Sequence, residues 1–222
     1  MLYRGLHSSS SKARSRVYYL FNKFIKETRN EIPLEIAGEL LERFRDLLVV
    51  QVEMPQLEDP TQDLLTEALK LPADFDKQVY LFETAGILLS LYFKVPDQQR
   101  PLLLSVIKPL LDDLSTNLQA AKANPANVLA IVKVHHIIIA LGNVARGFPE
   151  FPTPVPEGYI LPPVDIFTEI AQAILVSLEA LNSFRPIREA VSVLPCPHSS
   201  YLIDVGRHEM PSRVSWPRQD RP

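Results

Sequence analysis

The sequence of 222 residues is poor in cysteine, glycine and aromatic residues, and each shortage excludes a class of protein. Its single cysteine, Cys196, excludes a disulfide framework and a multi-cysteine metal cluster. Seven glycines are too few for a β-rich chain with many tight turns or for a glycine-rich phosphate loop. Aromatic residues make up 8% against a hydrophobic content of 46%, so Leu, Ile, Val and Ala must form the core.

The sequence also lacks a long uninterrupted hydrophobic run. Its most apolar stretch, 128–141, is interrupted by Lys133, His135 and His136. A helix that spans a bilayer needs about 20 predominantly apolar residues, so this stretch is too short and we expect no membrane insertion. The composition predicts a soluble, mostly helical protein of a reducing compartment.

The net charge of −3 conceals two regions of opposite charge. Residues 1–30 contain seven Lys or Arg and one Glu, whereas residues 31–190 contain 12 basic and 22 acidic residues. A largely acidic body does not suit a protein that coats DNA, because such a protein needs cations over much of its surface. The distribution suits a scaffold for basic protein surfaces, or a protein that contacts nucleic acid along a local stripe.

Apolar residues recur with helical spacing along most of the chain. Helices are predicted to begin near residues 16, 33, 75, 97, 126, 164 and 186, several of them at a proline or at a residue that can cap a helix. The first helix has an apolar face formed by Val17, Leu20, Phe21, Phe24 and Ile25. The second helix is predicted to run from Pro33 to about Val52. Its inward residues are predicted to be Ile36, Leu40, Phe44, Leu47 and Leu48.

Short connections make successive helices antiparallel, so they pair as hairpins that begin 51 to 60 residues apart. HEAT repeats measure about 40–47 residues, so inserted loops account for the difference. We therefore predict an all-α fold, an α-solenoid of HEAT-type antiparallel helical hairpins over residues 14–190. Residues 1–13 are predicted to be a disordered N-terminal stretch, and residues 191–222 an irregular, disordered tail.

Motifs of catalytic and nucleotide-binding sites are absent from the sequence. His135 and His136 are adjacent on a helix and point about 100° apart, so we expect one half-buried and one exposed side chain and no shared metal. Asp112 and Asp113 are predicted to belong to a solvated helix face, and Cys196 has no base beside it. The chain is therefore predicted not to be an enzyme and to have no catalytic residue, cofactor or metal site.

One face of the first helix has a pattern that suits nucleic-acid binding. Arg16, Tyr19, Lys23 and Lys26 lie at i, i+3, i+7 and i+10, which makes a continuous stripe opposite Phe21 and Phe24. Basic side chains bind phosphates, and a tyrosine can stack on a base. The alternative is the ordinary solvated side of an amphipathic helix. The acid-free start of the chain is also similar to a mitochondrial transit peptide, although its helix belongs to the first hairpin.

Five short segments follow one another in the order in which a known family of helical proteins has them. They are Ser15-Arg16-Val17-Tyr18-Tyr19-Leu20-Phe21, Phe24-Ile25-Lys26, Asp46-Leu47-Leu48, Tyr80-Leu81-Phe82-Glu83-Thr84-Ala85-Gly86 and Lys108-Pro109-Leu110-Leu111. This series resembles exportin-T of the karyopherin-β superfamily, in particular its fungal members. The resemblance covers about residues 14–190 and depends on the order of the segments, since none of them is specific alone.

The resemblance implies a nuclear export receptor for tRNA. Such a receptor is a HEAT-repeat superhelix that binds mature tRNA together with the small GTPase Ran in its GTP form. It passes the nucleoporins of the nuclear pore and shuttles between nucleus and cytoplasm. Neither a cofactor, DNA binding nor membrane insertion is implied.

The length of the chain departs from the family, so we expect a central fragment that lacks the N-terminal repeats with which the family grips Ran and the C-terminal repeats that help to close around tRNA. On this fragment, Arg16, Tyr19, Lys23 and Lys26 are the candidates for tRNA contact. A generic HEAT-repeat scaffold for protein interactions, or a helical regulatory subunit of an enzyme complex, would show the same periodicity.

Overall fold

The computed structural model describes residues 2–56, 61–70, 74–149 and 163–192. These residues form nine α-helices and two 3₁₀ helices, and none of them lies in a β-strand. The α-helices are α1 (Leu2–Leu6), α2 (Ser11–Thr28), α3 (Leu34–Phe44), α4 (Leu64–Lys70), α5 (Asp74–Ser90), α6 (Pro96–Ala123), α7 (Val128–Arg146), α8 (Val164–Ala180) and α9 (Arg185–Ser192). The 3₁₀ helices, Arg45–Leu47 and Leu91–Lys94, follow α3 and α5. The predicted all-α class is confirmed.

The helices begin where local signals place them. α6 begins at Pro96, because the fixed φ of proline suits the first turn of a helix, and α3 begins directly after Pro33, which is its N-cap residue in an extended conformation. α7 begins after Asn127, whose side-chain oxygen accepts a hydrogen bond from the backbone N–H of Ala130 at 3.2 Å. Such signals involve residues within one turn of each other, and this explains why the sequence predicts the helix positions.

The helices lie in two layers, as in a HEAT solenoid. The first helices of successive hairpins, α2, α5, α7 and α9, pack on one another in this order. In the second layer α6 packs on α8, and both contact α7, while α3 contacts α5 and the 3₁₀ helix after it. Each layer covers the apolar side of the other, and the predicted HEAT-type architecture is confirmed.

α7 is the central helix and is largely apolar. Ile131, Val134, Ile138 and Leu141 are buried in it because α5, α6 and α9 pack around this helix. It has 19 residues and is long and apolar enough to cross a membrane by length and composition, unlike the shorter stretch considered in the sequence. Because 56% of its most apolar segment is buried within the protein, α7 packs as a core helix.

The N-terminal stretch 1–13, predicted to be disordered, instead contains α1 and the start of α2. Leu6 is only 1% exposed, and its carbonyl oxygen accepts a hydrogen bond from the hydroxyl of Tyr18 at 3.2 Å. α1 therefore covers part of α2 and also contacts α3. The prediction was wrong because a helix of five residues has too little periodicity to be recognised and is held by tertiary contacts.

The second predicted helix ends well before Val52. α3 ends at Phe44, and the 3₁₀ helix after it ends at Leu47. The side-chain amide of Gln78 on α5 donates hydrogen bonds to the carbonyl oxygens of Leu47, at 2.6 Å, and Val49, at 2.9 Å. These bonds hold the backbone against α5 in an irregular conformation and replace those of a longer helix.

The buried face of α2 also differs from the predicted face. Its buried residues are Tyr18, Phe21, Asn22 and Ile25. Leu20 and Phe24 were expected to face inward but are 50% and 58% exposed, and Ile36 on α3 is 45% exposed. The reason is that α5 packs on the side of α2 that carries Asn22, whose side-chain amide donates to the hydroxyl oxygen of Thr84 at 3.1 Å.

The C-terminal boundary falls slightly later than predicted. Residues 191 and 192 complete α9 rather than beginning the predicted tail. The rest of that tail, 193–222, and most of the loop before α8, 150–162, lie outside the described residues.

Candidate nucleic-acid interface

The four residues of the predicted stripe lie on one exposed side of α2. Arg16, Tyr19, Lys23 and Lys26 are all exposed, while the opposite side of the helix packs on the core. At about 1.5 Å of rise per residue, the stripe is about 15 Å long. The structure thus keeps together the residues that the helical spacing grouped.

Lys26 has a second role, in the interface between α2 and α5. Its Nζ lies 2.8 Å from Oε1 of Glu83. The side chain of Glu83 is only 9% exposed, and a buried carboxylate without a partner is costly. Lys26 therefore neutralises Glu83, and its charge is only partly available to a phosphate.

The other stripe residues make weaker contacts. Nζ of Lys23 lies 3.8 Å from Oε1 of Glu27, and such exposed i,i+4 pairs contribute little to stability. The ring of Tyr19 meets the ring of Tyr80 edge-on, with centroids 5.5 Å apart, so one edge of it rests on α5. Arg16 is exposed nearer the start of the helix. Arg16 and Lys23 are therefore the most accessible cations of the stripe.

An exposed apolar strip lies beside the stripe and was not predicted, since its two residues were grouped with the rest of the apolar face of the first helix. These residues are Leu20 and Phe24, both at least half exposed. The apolar residues of α2 spread over about 160° of its circumference, which is wider than the face that one packing partner needs to cover. The width of this face is the signal that could have identified the strip.

The side chains of His135 and His136 differ in burial from the prediction. Both are half-buried and their Nδ1 atoms are 3.0 Å apart, while the ring of His136 stacks on Phe75 with centroids 3.9 Å apart. The expectation of one exposed histidine was wrong because Phe75 at the start of α5 covers His136. Burial lowers the pKa of His135 to about 4, although Asp76 and Glu189 oppose the shift. Burial, with the neighbouring His135, lowers the pKa of His136 to about 3.

Within the described part of the chain, no three His, Cys, Asp or Glu side chains are grouped so that they could hold a metal ion. Asp113 accepts a hydrogen bond from the side-chain amide of Asn117 at 2.7 Å and lies 3.8 Å from Nζ of Lys133. Asp112 is exposed, as expected of a solvated face, and Cys196 lies outside the described residues. The contacts of Asp113 are thus those of a structural link between α6 and α7.

Comparison with known proteins identifies the family of this chain. A sequence model of the Exportin-T family matches residues 1–194. The chain is 59% identical to Exportin-T of Laccaria bicolor over 187 residues and 50% identical to Exportin-T of Coprinopsis cinerea over 188 residues, in each case over 84% of the chain. The chain belongs to the exportin-T family. The family match begins at residue 1, ahead of residue 14, and this agrees with the packing of α1 on α2.

The chain matches only a small part of these exportin-T relatives. It covers 17% of the Laccaria bicolor protein and 18% of the Coprinopsis cinerea protein. Exportin-T of Mycosarcoma maydis is 37% identical over 194 residues, which are 85% of the chain and 17% of that relative. The chain therefore spans less than one fifth of the length of these curated relatives.

Proposed function

We propose that this chain acts in the nuclear export of tRNA, as part of a receptor that binds mature tRNA together with Ran in its GTP form. The proposal rests on the exportin-T match over residues 1–194, which coincides with the two-layer helical repeat. The receptor contacts nucleoporins as it passes the pore and shuttles between nucleus and cytoplasm. We propose no enzymatic activity, cofactor, DNA binding or membrane insertion for it.

Within this function, the stripe on α2 contacts the phosphate backbone of tRNA. Arg16 and Lys23 supply exposed cations, and Tyr19 supplies an exposed ring that can stack on an unpaired base. Lys26 is the weakest of the four candidates, because it already neutralises Glu83. Binding of this kind releases counterions, so it weakens as the salt concentration rises.

A chimeric receptor tests the export function. In full-length Exportin-T of Laccaria bicolor, the matching segment is replaced by the corresponding residues of this chain, and a control chimera carries unrelated HEAT hairpins of the same length. We expect the first chimera to bind tRNA in the presence of Ran–GTP with an affinity within about threefold of the unaltered receptor, or about 0.7 kcal/mol. If both chimeras fold and neither binds tRNA, the chain is a generic scaffold and the proposal is wrong.

Charge reversal tests the stripe separately. In the same chimera, Arg16→Glu is combined with Lys23→Glu, which leaves the Lys26–Glu83 pair intact. The matched control combines Lys108→Glu with Lys122→Glu, two exposed lysines on α6. Loss of two phosphate contacts should weaken the binding of all tRNAs alike. The slope of the logarithm of the binding constant against the logarithm of the salt concentration should become less steep by about two. If affinity and salt dependence match those of the control, the stripe is an ordinary solvated face.

A HEAT-repeat scaffold for protein partners is the second candidate function. It is favoured by the acidic character of residues 31–190, where carboxylates outnumber cations by 22 to 12. A scaffold of this kind would bind basic proteins and would leave tRNA unbound in both chimeras.

A further inference from the structure

A groove of about 700 Å³ lies between α6 and α8, in the second layer of helices. Its floor contains Leu114 and Leu118 from α6, which are almost fully buried, and Ala173 and Ser177 from α8. The hydroxyl of Ser177 donates to the carbonyl oxygen of Ala173 at 2.8 Å, so the floor presents little free polar surface. A floor of this composition favours an apolar ligand surface.

The rim of the groove is acidic. Asp112, Asp165 and Glu169 lie along it, and none of the described residues that line the groove is Lys or Arg. Asp165 is neutralised by Arg100, whose guanidinium donates to it at 2.9 Å and lowers the pKa of this carboxyl. The exposed Asp112 and Glu169 therefore leave a net negative charge beside the apolar floor.

We propose that this groove binds a short, cationic amphipathic helix of a partner protein. A helix fits because α6 and α8 run side by side and leave a channel, into which the apolar ridge of a third helix can pack. The floor residues of α6 extend over two helical turns from Leu111, a length of about 10 Å, which accommodates two or three anchor side chains. Lysine or arginine beside that ridge reaches Asp112 and Glu169.

The negative charge of the groove favours a cationic helix over other ligands. A polyanion such as tRNA is repelled by the acidic rim, so the groove is a site distinct from the α2 stripe. The segment of this chain that leads into α8, 150–162, carries two Glu and no Lys or Arg, so charge complementarity does not favour it as the occupant. The proposal does not depend on tRNA binding.

The experiment uses a fluorescent helical peptide of Leu, Ala and Lys, about four turns long, as the probe. Two control peptides are a scrambled sequence of the same composition and a peptide with Glu in place of Lys. Binding to the full chain is measured by fluorescence anisotropy. We expect the amphipathic peptide to bind in the micromolar range and both control peptides to bind about tenfold more weakly or not at all.

Two matched variants locate the binding site. Asp112→Lys with Glu169→Lys reverses the rim charge, whereas Asp97→Lys with Glu179→Lys changes two exposed carboxylates of the same helices outside the groove. We expect the rim variant to weaken binding about tenfold and the control variant to change it less than twofold. Circular dichroism verifies that both variants fold.

Three outcomes would overturn the proposal. Equal loss in both variants would mean that general charge attracts the peptide, and equal binding of the scrambled peptide would mean that no helical ridge is recognised. The third outcome is measured by light scattering of the chain without peptide. If the unaltered chain is a dimer and the rim variant is a monomer, the groove binds a second copy of the chain and not a partner helix.

Discussion

Gly86 on α5 and Gly147 after α7 allow the backbones of these two helices to touch. A Cβ atom on Gly86 would lie 2.0 Å from the carbonyl oxygen of Val144, and one on Gly147 would lie 2.4 Å from the backbone nitrogen of Ile87. Both of these nearest atoms belong to the backbone, so a Cβ atom could be accommodated only if a whole helix shifted. This close approach fixes how one hairpin packs on the next.

The substitution Gly86→Ala should therefore destabilise the chain by about 3 kcal/mol, despite the better helix propensity of alanine. The matched control is Gly5→Ala, where the nearest atom to the new Cβ is a side-chain methyl of Val17 at 3.1 Å. This control should change the free energy of unfolding by less than about 1 kcal/mol. Urea denaturation measures both, and equal effects would contradict the proposed helix contact.

The ion pair between Lys26 and Glu83 gives a second prediction. Lys26→Gln leaves the buried carboxylate of Glu83 without its cation and should lower the free energy of unfolding by about 1–2 kcal/mol. Lys23→Gln, which breaks only an exposed pair with Glu27, should have an effect close to zero. Adding Glu83→Gln to Lys26→Gln should restore part of the loss. If the loss of free energy of unfolding in the double variant equals the sum of the losses in the two single variants, the two residues are not coupled.

The histidine pair predicts a dependence of stability on pH. In the unfolded chain both histidines titrate near pH 6.5, whereas in the folded chain their pKa values are about 4 and about 3. Between these pKa values the unfolded state binds more protons than the folded state. The free energy of unfolding therefore falls as the pH falls from about 7 to about 4, and each histidine contributes about 1.4 kcal/mol per pH unit.

The variant His136→Phe tests this dependence, because it keeps a ring stacked on Phe75 and removes one titrating group. We expect its free energy of unfolding to fall less steeply than that of the unaltered chain between pH 7 and pH 5. A comparison at pH 8, where both histidines are neutral in either state, separates the effect of packing. Parallel pH profiles would show that His136 does not titrate as described.

Asn22 joins α2 to α5 and provides a fourth prediction. Its buried side-chain amide donates to the carbonyl oxygen of Tyr80 at 3.2 Å and to the hydroxyl oxygen of Thr84 at 3.1 Å. Asn22→Ala should cost about 2 kcal/mol, since it removes these bonds and leaves a small cavity. The control is Asn117→Ala, which should cost less than half as much, because the amide of Asn117 donates to the carbonyl and carboxylate oxygens of Asp113 on the same helix. Thermal unfolding compares the two, and equal losses would mean that Asn22 has no special role.

The candidate interface was only partly predictable from the sequence. The stripe of Arg16, Tyr19, Lys23 and Lys26 follows from helical spacing within α2, and the structure leaves all four exposed. The partner of Lys26, Glu83, lies 57 positions away on another helix, so no local pattern reveals that this cation is already paired. The groove between α6 and α8 was not predicted for the same reason, because the residues of its two walls are at least 47 positions apart in the chain.

The sequence by itself determined the all-α class, the positions of the main helices and their grouping into hairpins. These features depend on the period of apolar residues, on proline and on capping side chains, all of which act within one or two turns. The tertiary structure decided which side of α2 is buried, that α1 forms at all, and that both His135 and His136 are covered. The physical reason is that an amphipathic helix offers a broad apolar face, and only the shape and hydrogen bonds of the helix packed against it select the part that loses contact with water.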